Sequence, residues 1–170
     1  MNGFKEISVC DLKKTPFEMI GKDWMLISAE SEGRVNMMTA SWGGMGFMWN
    51  KNVAFAVVRP QRFTKTLIDK EDKFSLSFYG EEYRKVLNYC GSASGKNEDK
   101  ARGSGLTPVF SDGTVSFAEA EITFICKKLF AQEFSKESFI DKSIIDKMYP
   151  GDDYHTLYIA EIEKVYVKNA

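Results

Sequence analysis

Residues that commonly carry chemistry are scarce in this chain. It has one histidine, three cysteines and four prolines in 170 residues. A Ser-His-Asp or Cys-His nucleophile system would have to be built around His155 alone, and no G-x-S-x-G elbow accompanies it. The cysteines, Cys10, Cys90 and Cys126, are odd in number and far apart, with no C-x-x-C pair or Cys/His cluster. Neither a disulfide framework nor a metal site is supported, no catalytic side chain is assigned, and a reducing cytoplasm is the expected setting. An excess of one charge is also lacking, since 23 Lys and Arg face 24 Asp and Glu for a formal net charge of -1. That balance argues against a general nucleic-acid or membrane-surface binder.

Two further absences concern segments. The start, Met1-Asn2-Gly3-Phe4-Lys5-Glu6, has no apolar stretch of the signal-peptide kind. The uncharged run Val35–Asn50 is too short, and too rich in Gly, Ser, Thr and Asn, to span a bilayer. No G-x-G-x-x-G fingerprint occurs. The stretch Gly91–Lys96 (G-S-A-S-G-K) has one residue too few between its glycines for a phosphate loop, and Asn97 stands where Ser or Thr is needed.

What is present favours strands. Phe, Tyr and Trp number 13, 7 and 3, and such residues suit a pleated, half-buried surface. The length is that of one domain able to bury a core without staples, read as 1–170. Residues 1–23 read as an irregular lead-in around Pro16. Trp24–Ala29 and Val35–Trp42 read as a hairpin across the polar turn Glu30–Gly33. Gly43, Gly44 and Gly46 suggest a bend or a close backbone approach. Val53–Val58, apolar at every position, reads as a central strand covered on both faces, and Pro60 stops it. Thr64 is the expected N-cap of a short helix through Asp69.

Lys73–Tyr79 alternates, with Phe74, Leu76 and Phe78 on one face and Ser75 and Ser77 on the other. Glu81–Tyr89 has a helical stripe, Tyr83, Val86, Leu87 and Cys90, with Gly91 as its stop. A polar loop follows, entering a short helix near Asp99. Asp112-Gly113 marks a hairpin between Val109-Phe110 and Val115–Phe117. Ala118–Cys126 reads as a strand, which Leu129–Phe134 pairs with or extends. Ile140–Met148 is a helix, Tyr149–His155 a polar loop, and Leu157–Val167 the last strand. Six or more strands with few helices predict an antiparallel β-barrel with short peripheral helices.

The organising stretch is Asn36–Thr64. No charge stands between Arg34 and Lys51, and then Arg59 and Arg62 arrive close together, followed by Thr64. An apolar floor with an anion-binding rim has this pattern, because Arg forks and a hydroxyl suit the several oxygens of a phosphate. Ser94, Lys96 and Lys100 offer a second cationic set from a glycine-flanked loop. Each set alone also describes an ordinary solvated surface.

Three motifs in order change that balance: N-x-M-T-A-S-W at Asn36–Trp42, R-P-x-R-x-T at Arg59–Thr64, and G-x-x-S-G-K-x-x-D-K at Gly91–Lys100. Together they resemble the flavin reductase-like, FMN-binding split-barrel family, and within it the flavoredoxin branch, over roughly residues 15–165. The resemblance implies a mainly β fold, a six-stranded antiparallel split barrel of Greek-key topology with a few short helices. It also implies a homodimer with bound FMN near the subunit interface. Met38, Thr39, Ala40, Ser41 and Trp42 would lie along the flavin ring and ribityl chain. Arg59, with Pro60 beside it, Arg62, Thr64 and Lys100 would hold the phosphate, with Ser94 and Lys96 nearby. Cys90 and Gly91 would close over the ring or ribityl side, and His155 and Tyr149 would approach the flavin from a loop of the same chain or of the partner subunit. The implied activity is hydride transfer from NAD(P)H through FMN to free flavin, iron or another acceptor. The alternatives are an electron carrier reduced by a protein partner, and a non-redox barrel that binds another phosphorylated ligand.

Overall fold

The structure, a computed structural model, describes residues 1–169. Ten strands are found among them where six were expected. Eight belong to one antiparallel sheet: β1 (Phe4–Ile7), β2 (Met25–Ser31), β3 (Arg34–Ala40), β4 (Gly43–Met48), β5 (Lys51–Val58), β6 (Lys73–Phe78), β9 (Ile122–Glu133) and β10 (Thr156–Lys168). Its order is β3-β2-β6-β9-β10-β5-β4, with β1 also on β10. The remaining two, β7 (Pro108–Ser111) and β8 (Thr114–Phe117), form a separate hairpin. The helices are α1 (Phe63–Lys70), α2 (Arg84–Ser92), α3 (Lys100–Ser104) and α4 (Ser143–Met148), alongside short single-turn pieces.

The two ends of the sheet, β3 and β4, are consecutive in sequence but do not pair. This is the split of the barrel. One apolar interior, with Ile27, Ala54, Ala56, Phe74, Leu76, Phe124, Tyr158 and Ala160, fills the space that the curled sheet encloses. Curling is helped by two register shifts along β9 and β10, one between Ile159 and Ala160 and one between Ile162 and Lys164, since bulges bend a strand and increase its twist. The other face of β2, β3 and β6 is covered as well. There Leu26, Met37, Leu87, Cys90 and Phe117 form a second core under α2, α3 and β8. The serine face of β6 is therefore buried, with Ser75 donating to the Val115 carbonyl at 2.5 Å and Ser77 sharing a hydrogen bond with Thr123 at 3.2 Å.

Several boundaries differ from expectation for definite reasons. The β2–β3 turn is only Glu32-Gly33, both at positive φ, the mirror-image turn that matches strand twist. Asp112-Gly113 makes the same kind of turn between β7 and β8, as its sequence predicts. The glycines 43, 44 and 46 do not bend the chain but lie within β4. A Cβ at Gly43 would stand 2.3 Å from the Phe55 carbonyl oxygen, while those at Gly44 and Gly46 would touch the Phe55 ring at 3.6 and 3.4 Å. The strand is glycine-rich because an aromatic ring from β5 lies over it, a bare backbone covered from across the ladder.

β5 is paired on both edges, yet Phe55 and Val57 on its outer face are only half-buried. Gly91 is not the stop of α2, which continues through Ser92; its missing side chain lets the helix meet Thr39, where a Cβ would stand 3.4 Å from the threonine Cβ. The strand expected from Ala118 begins at Ile122 and runs unbroken through Leu129 to Glu133. The lead-in contains β1 and a wide helical turn, Phe17–Asp23, that buries Met19 and Ile20 in the barrel.

Candidate functional site

The local chain direction creates the site. β5 ends at Val58, and Pro60 cannot continue the ladder. The chain turns so that the Arg62 amide donates to the Arg59 carbonyl at 3.1 Å, and α1 begins at Phe63 with Arg62 as the residue before it. Thr64 is thus inside the first turn and not the cap. Its hydroxyl, buried, accepts from the Asn36 side-chain amide at 2.8 Å. This bond ties the start of α1 to β3.

Two adjoining hollows open at this corner. One, of about 480 Å³, is lined by Asn36, Met38, Arg59, Gln61, Arg62, Phe63, Thr64, the run Ser92–Gly95, Lys100 and Asp153. The other, of about 160 Å³, is lined by Met38, Thr39, Ala40, Ser41, Trp42, Val57, Arg59, Arg62 and His155. Met38, Arg59 and Arg62 border both, so the pair forms one trough along the end of β3.

The cations differ in what they are free to do. Arg59 is held by Asp153 at 2.5 Å and by the Met148 carbonyl at 2.8 Å, and it lies over the Tyr149 ring. Gln61 also donates to Asp153, at 2.7 Å, and these two bonds hold that carboxyl below its usual range. Arg62 donates to the Gly91 carbonyl at 2.5 Å, and no carboxylate pairs with it among the described residues. Desolvation, with Arg59 close by, lowers its hold on its proton. Lys100, 2% exposed, donates to the Cys90 carbonyl at 2.7 Å and to that of Ala93 at 3.2 Å, closing the end of α2. It too has no carboxylate partner among the described residues, and burial pulls its pKa down. Two cations withdrawn from water without counter-charge are costly. An anion in the larger hollow would relieve both.

The loop that carries Ser94 is shaped, not slack. Gly95 is buried, a Cβ there would stand 2.3 Å from the Asn36 side-chain oxygen, and its carbonyl accepts from Arg34 at 2.6 Å. Arg34 itself lies 4.1 Å over the Phe63 ring. Sequence reasoning missed Asn36, Gln61 and Asp153 as lining residues, although Asn36 stands in the first motif. Nothing local marks Asp153, which comes to the site only through the fold.

Other expected residues fall elsewhere. Cys90 is fully buried in the second core, and desolvation pushes its thiol up to about 11. Pro60 is exposed and shapes the turn without lining either hollow. Lys96 is exposed and borders a separate hollow beyond Gly95. Gly91 acts through its carbonyl on Arg62. The Thr39 hydroxyl donates to the Leu87 carbonyl at 2.5 Å, so this side chain binds β3 to α2.

His155 stands at the wall of the smaller hollow in its own chain. Its ring centroid is 5.2 Å from that of Trp42, and its Nδ1 shares a hydrogen bond with the Tyr149 hydroxyl at 2.9 Å. Burial, then the Arg59 charge, lowers its pKa from 6.5 to about 4, so the imidazole is neutral at pH 7. Between those values the unfolded chain binds a proton that the native chain refuses. Native stability therefore falls as pH drops from 6.5 towards 4, by up to about 3 kcal/mol from this group. Urea unfolding at steps of pH should show this decline, and His155→Gln should lessen it; equal slopes in both proteins would refute the assignment.

Residues 19–170 match the family described as flavin reductase like domain. No curated protein matches the chain. Among solved structures, the FMN-binding domain of a flavin reductases-like enzyme from Shewanella baltica superposes with a TM-score of 0.71 at 16% identity, covering 98% of this chain and 78% of that one. Flavoredoxin from Methanosarcina acetivorans gives 0.70 at 19%, covering 97% and 76%. A putative flavin reductase with split barrel domain from Shewanella frigidimarina gives 0.69 at 19%, covering 87% and 68%. These likenesses establish the split-barrel fold, and the match over residues 19–170 places this chain in the flavin reductase-like domain family.

Proposed function

We propose that this chain is a flavin reductase-type flavoprotein, a single 1–170 domain that binds FMN in the trough. The observation that carries this reading is the pair Arg62 and Lys100, cations without a carboxylate among the described residues, facing one hollow with Thr64. A phosphate fits that chemistry, and the smaller hollow, walled by Met38–Trp42, Val57 and His155, suits an aromatic ring. FMN-binding domain and flavoredoxin are the names of structural relatives, in keeping with this choice.

Bound flavin would supply hydride and electron transfer, so the protein need provide no nucleophile. Its own residues would anchor and orient. Arg62 and the first turn of α1 would hold the anion; Lys100 would fix the end of α2 beside it. The small residues Ala40 and Ser41 would let backbone amides approach the ring edge. His155, uncharged at neutral pH, would flank the ring with Trp42 without adding a charge there.

NAD(P)H or a redox protein would be the donor, and free flavin, iron or another acceptor the outlet, in a cytoplasmic setting. A homodimer is part of the proposal. Its support is the apolar exposure on β4, the β4–β5 turn and β9, where Phe47, Trp49 and Phe130 are 72%, 54% and 41% exposed. Likeness to a flavoredoxin favours, as second reading, an electron carrier reduced by a protein.

The test is spectroscopic. Protein purified and incubated with FMN should retain flavin absorption after desalting, and anaerobic NADH or NADPH should bleach it. Retention with bleaching only by dithionite would select the carrier. Failure to retain flavin would overturn both.

A further inference from the structure

A second cavity lies at the opposite end of β10. It measures about 660 Å³ and is bounded by β1, the segment after it, the start of β9 and the end of β10. Along β10 it is about 40 Å from the cofactor trough, at about 3.3 Å per residue from His155 to Val167. Its floor is apolar: Ile7, Leu12, Ile122 and Val167, all partly buried and packed on the barrel interior. The cavity is therefore a mouth of the barrel, a common place for small ligands.

Its rim is basic. Lys5, Lys13, Lys14 and Lys168 face two acids, Asp11 and Glu121. Lys14 pairs with Asp23 at 2.9 Å and also feels Glu121. Lys5, Lys13 and Lys168 have no carboxylate within ion-pair reach among the described residues. An apolar floor whose rim carries four ammonium groups against two carboxylates complements a tail with an anionic head.

We propose that this barrel mouth binds a medium-chain fatty carboxylate, its tail on the Ile7, Leu12, Ile122 and Val167 floor and its head among Lys5, Lys13 and Lys168. The volume is within the usual small-ligand range of about 300–1,000 Å³. Contact with the aliphatic floor supplies affinity, and the lysines select the sign of the head group. No part of the cofactor trough takes part, so this site stands or falls apart from the proposed function.

The experiment titrates the full chain with decanoate, decanol and decyltrimethylammonium, followed by methyl NMR. Decanoate should give saturable shifts at Ile7, Leu12, Ile122 and Val167 and bind about tenfold tighter than the cation. The variant Lys5→Glu with Lys13→Glu, both exposed positions, should abolish or invert that order while decanol binding and FMN retention persist. Equal binding of all three probes, shifts at Val57 of the trough instead, or no saturable shift would overturn the proposal. So would floor-methyl shifts that depend only on protein concentration, which would mean a second copy covers this face.

Discussion

Arg62→Met should weaken FMN binding about a hundredfold, while Arg59→Met should weaken it less than about tenfold. The difference follows from the partners already present. Arg59 is engaged by Asp153 and by the Met148 carbonyl, so its charge is largely answered within the fold. Arg62 has a carbonyl partner only and is half-buried. A charge-assisted hydrogen bond contributes about 1.5–3 kcal/mol, and the upper end corresponds to about a hundredfold in affinity. Equilibrium dialysis of each variant against FMN measures this directly. Reversal of the order, with Arg59 dominant, would show that ligand entry displaces Asp153 and that the anion lies on the far side of the trough. The Gly91 carbonyl loses a donor in Arg62→Met, so a thermal melt should accompany the titration; a cost of about 1 kcal/mol is expected there.

Gly43→Ala should destabilise the fold by about 3 kcal/mol or more, whereas Gly44→Ala should cost under about 1 kcal/mol. At Gly43 the backbone has φ of 148° and a Cβ would meet the Phe55 carbonyl oxygen at 2.3 Å. That oxygen is backbone in the neighbouring strand and cannot step aside without breaking the β4–β5 ladder. At Gly44 the nearest atom is the edge of the Phe55 ring at 3.6 Å, an ordinary contact. Denaturant midpoints of the two variants separate a steric role from mere glycine flexibility. Equal effects would mean that the β4–β5 approach is looser than described. Trp42, which walls the small hollow, directly precedes Gly43, so the same substitution should also disturb ligand retention.

These two residues show where the sequence was informative and where it was not. Strand periods were plain at Phe74–Phe78, where the alternation survives as two buried faces. The Asp112-Gly113 turn was equally plain, because positive φ at both residues demands such types. Of the two readings open for the glycines at 43–46, the close backbone approach holds at Gly43 and the bend does not, since composition cannot say that Phe55 lies across from them. Two strands went unread: β1, which is short and gains its place only by pairing with β10, and β4, whose glycines hide a strand paired with β5.

The site divides in the same way. Arg62, Thr64 and the Met38–Trp42 wall were legible from motif order, and the fold brings them to one trough. Asp153 was not, since its role depends on a loop that returns to Arg59 from far along the chain. Cys90 and Lys96 were carried in by motif proximity, and the fold turns one into a core and the other to solvent. Lys100 lines the trough as expected, yet its ammonium also closes the end of α2 through two carbonyls.

On the proposed reading, half-buried Arg62 and buried Lys100 receive a flavin's phosphate. Titrating the flavin-free protein with FMN and with riboflavin, which share a ring and differ in the phosphate, tests it most directly. FMN should bind at least about a hundredfold tighter than riboflavin, and Arg62→Met should remove most of that margin. Equal affinity for the two flavins in the unaltered protein would contradict it.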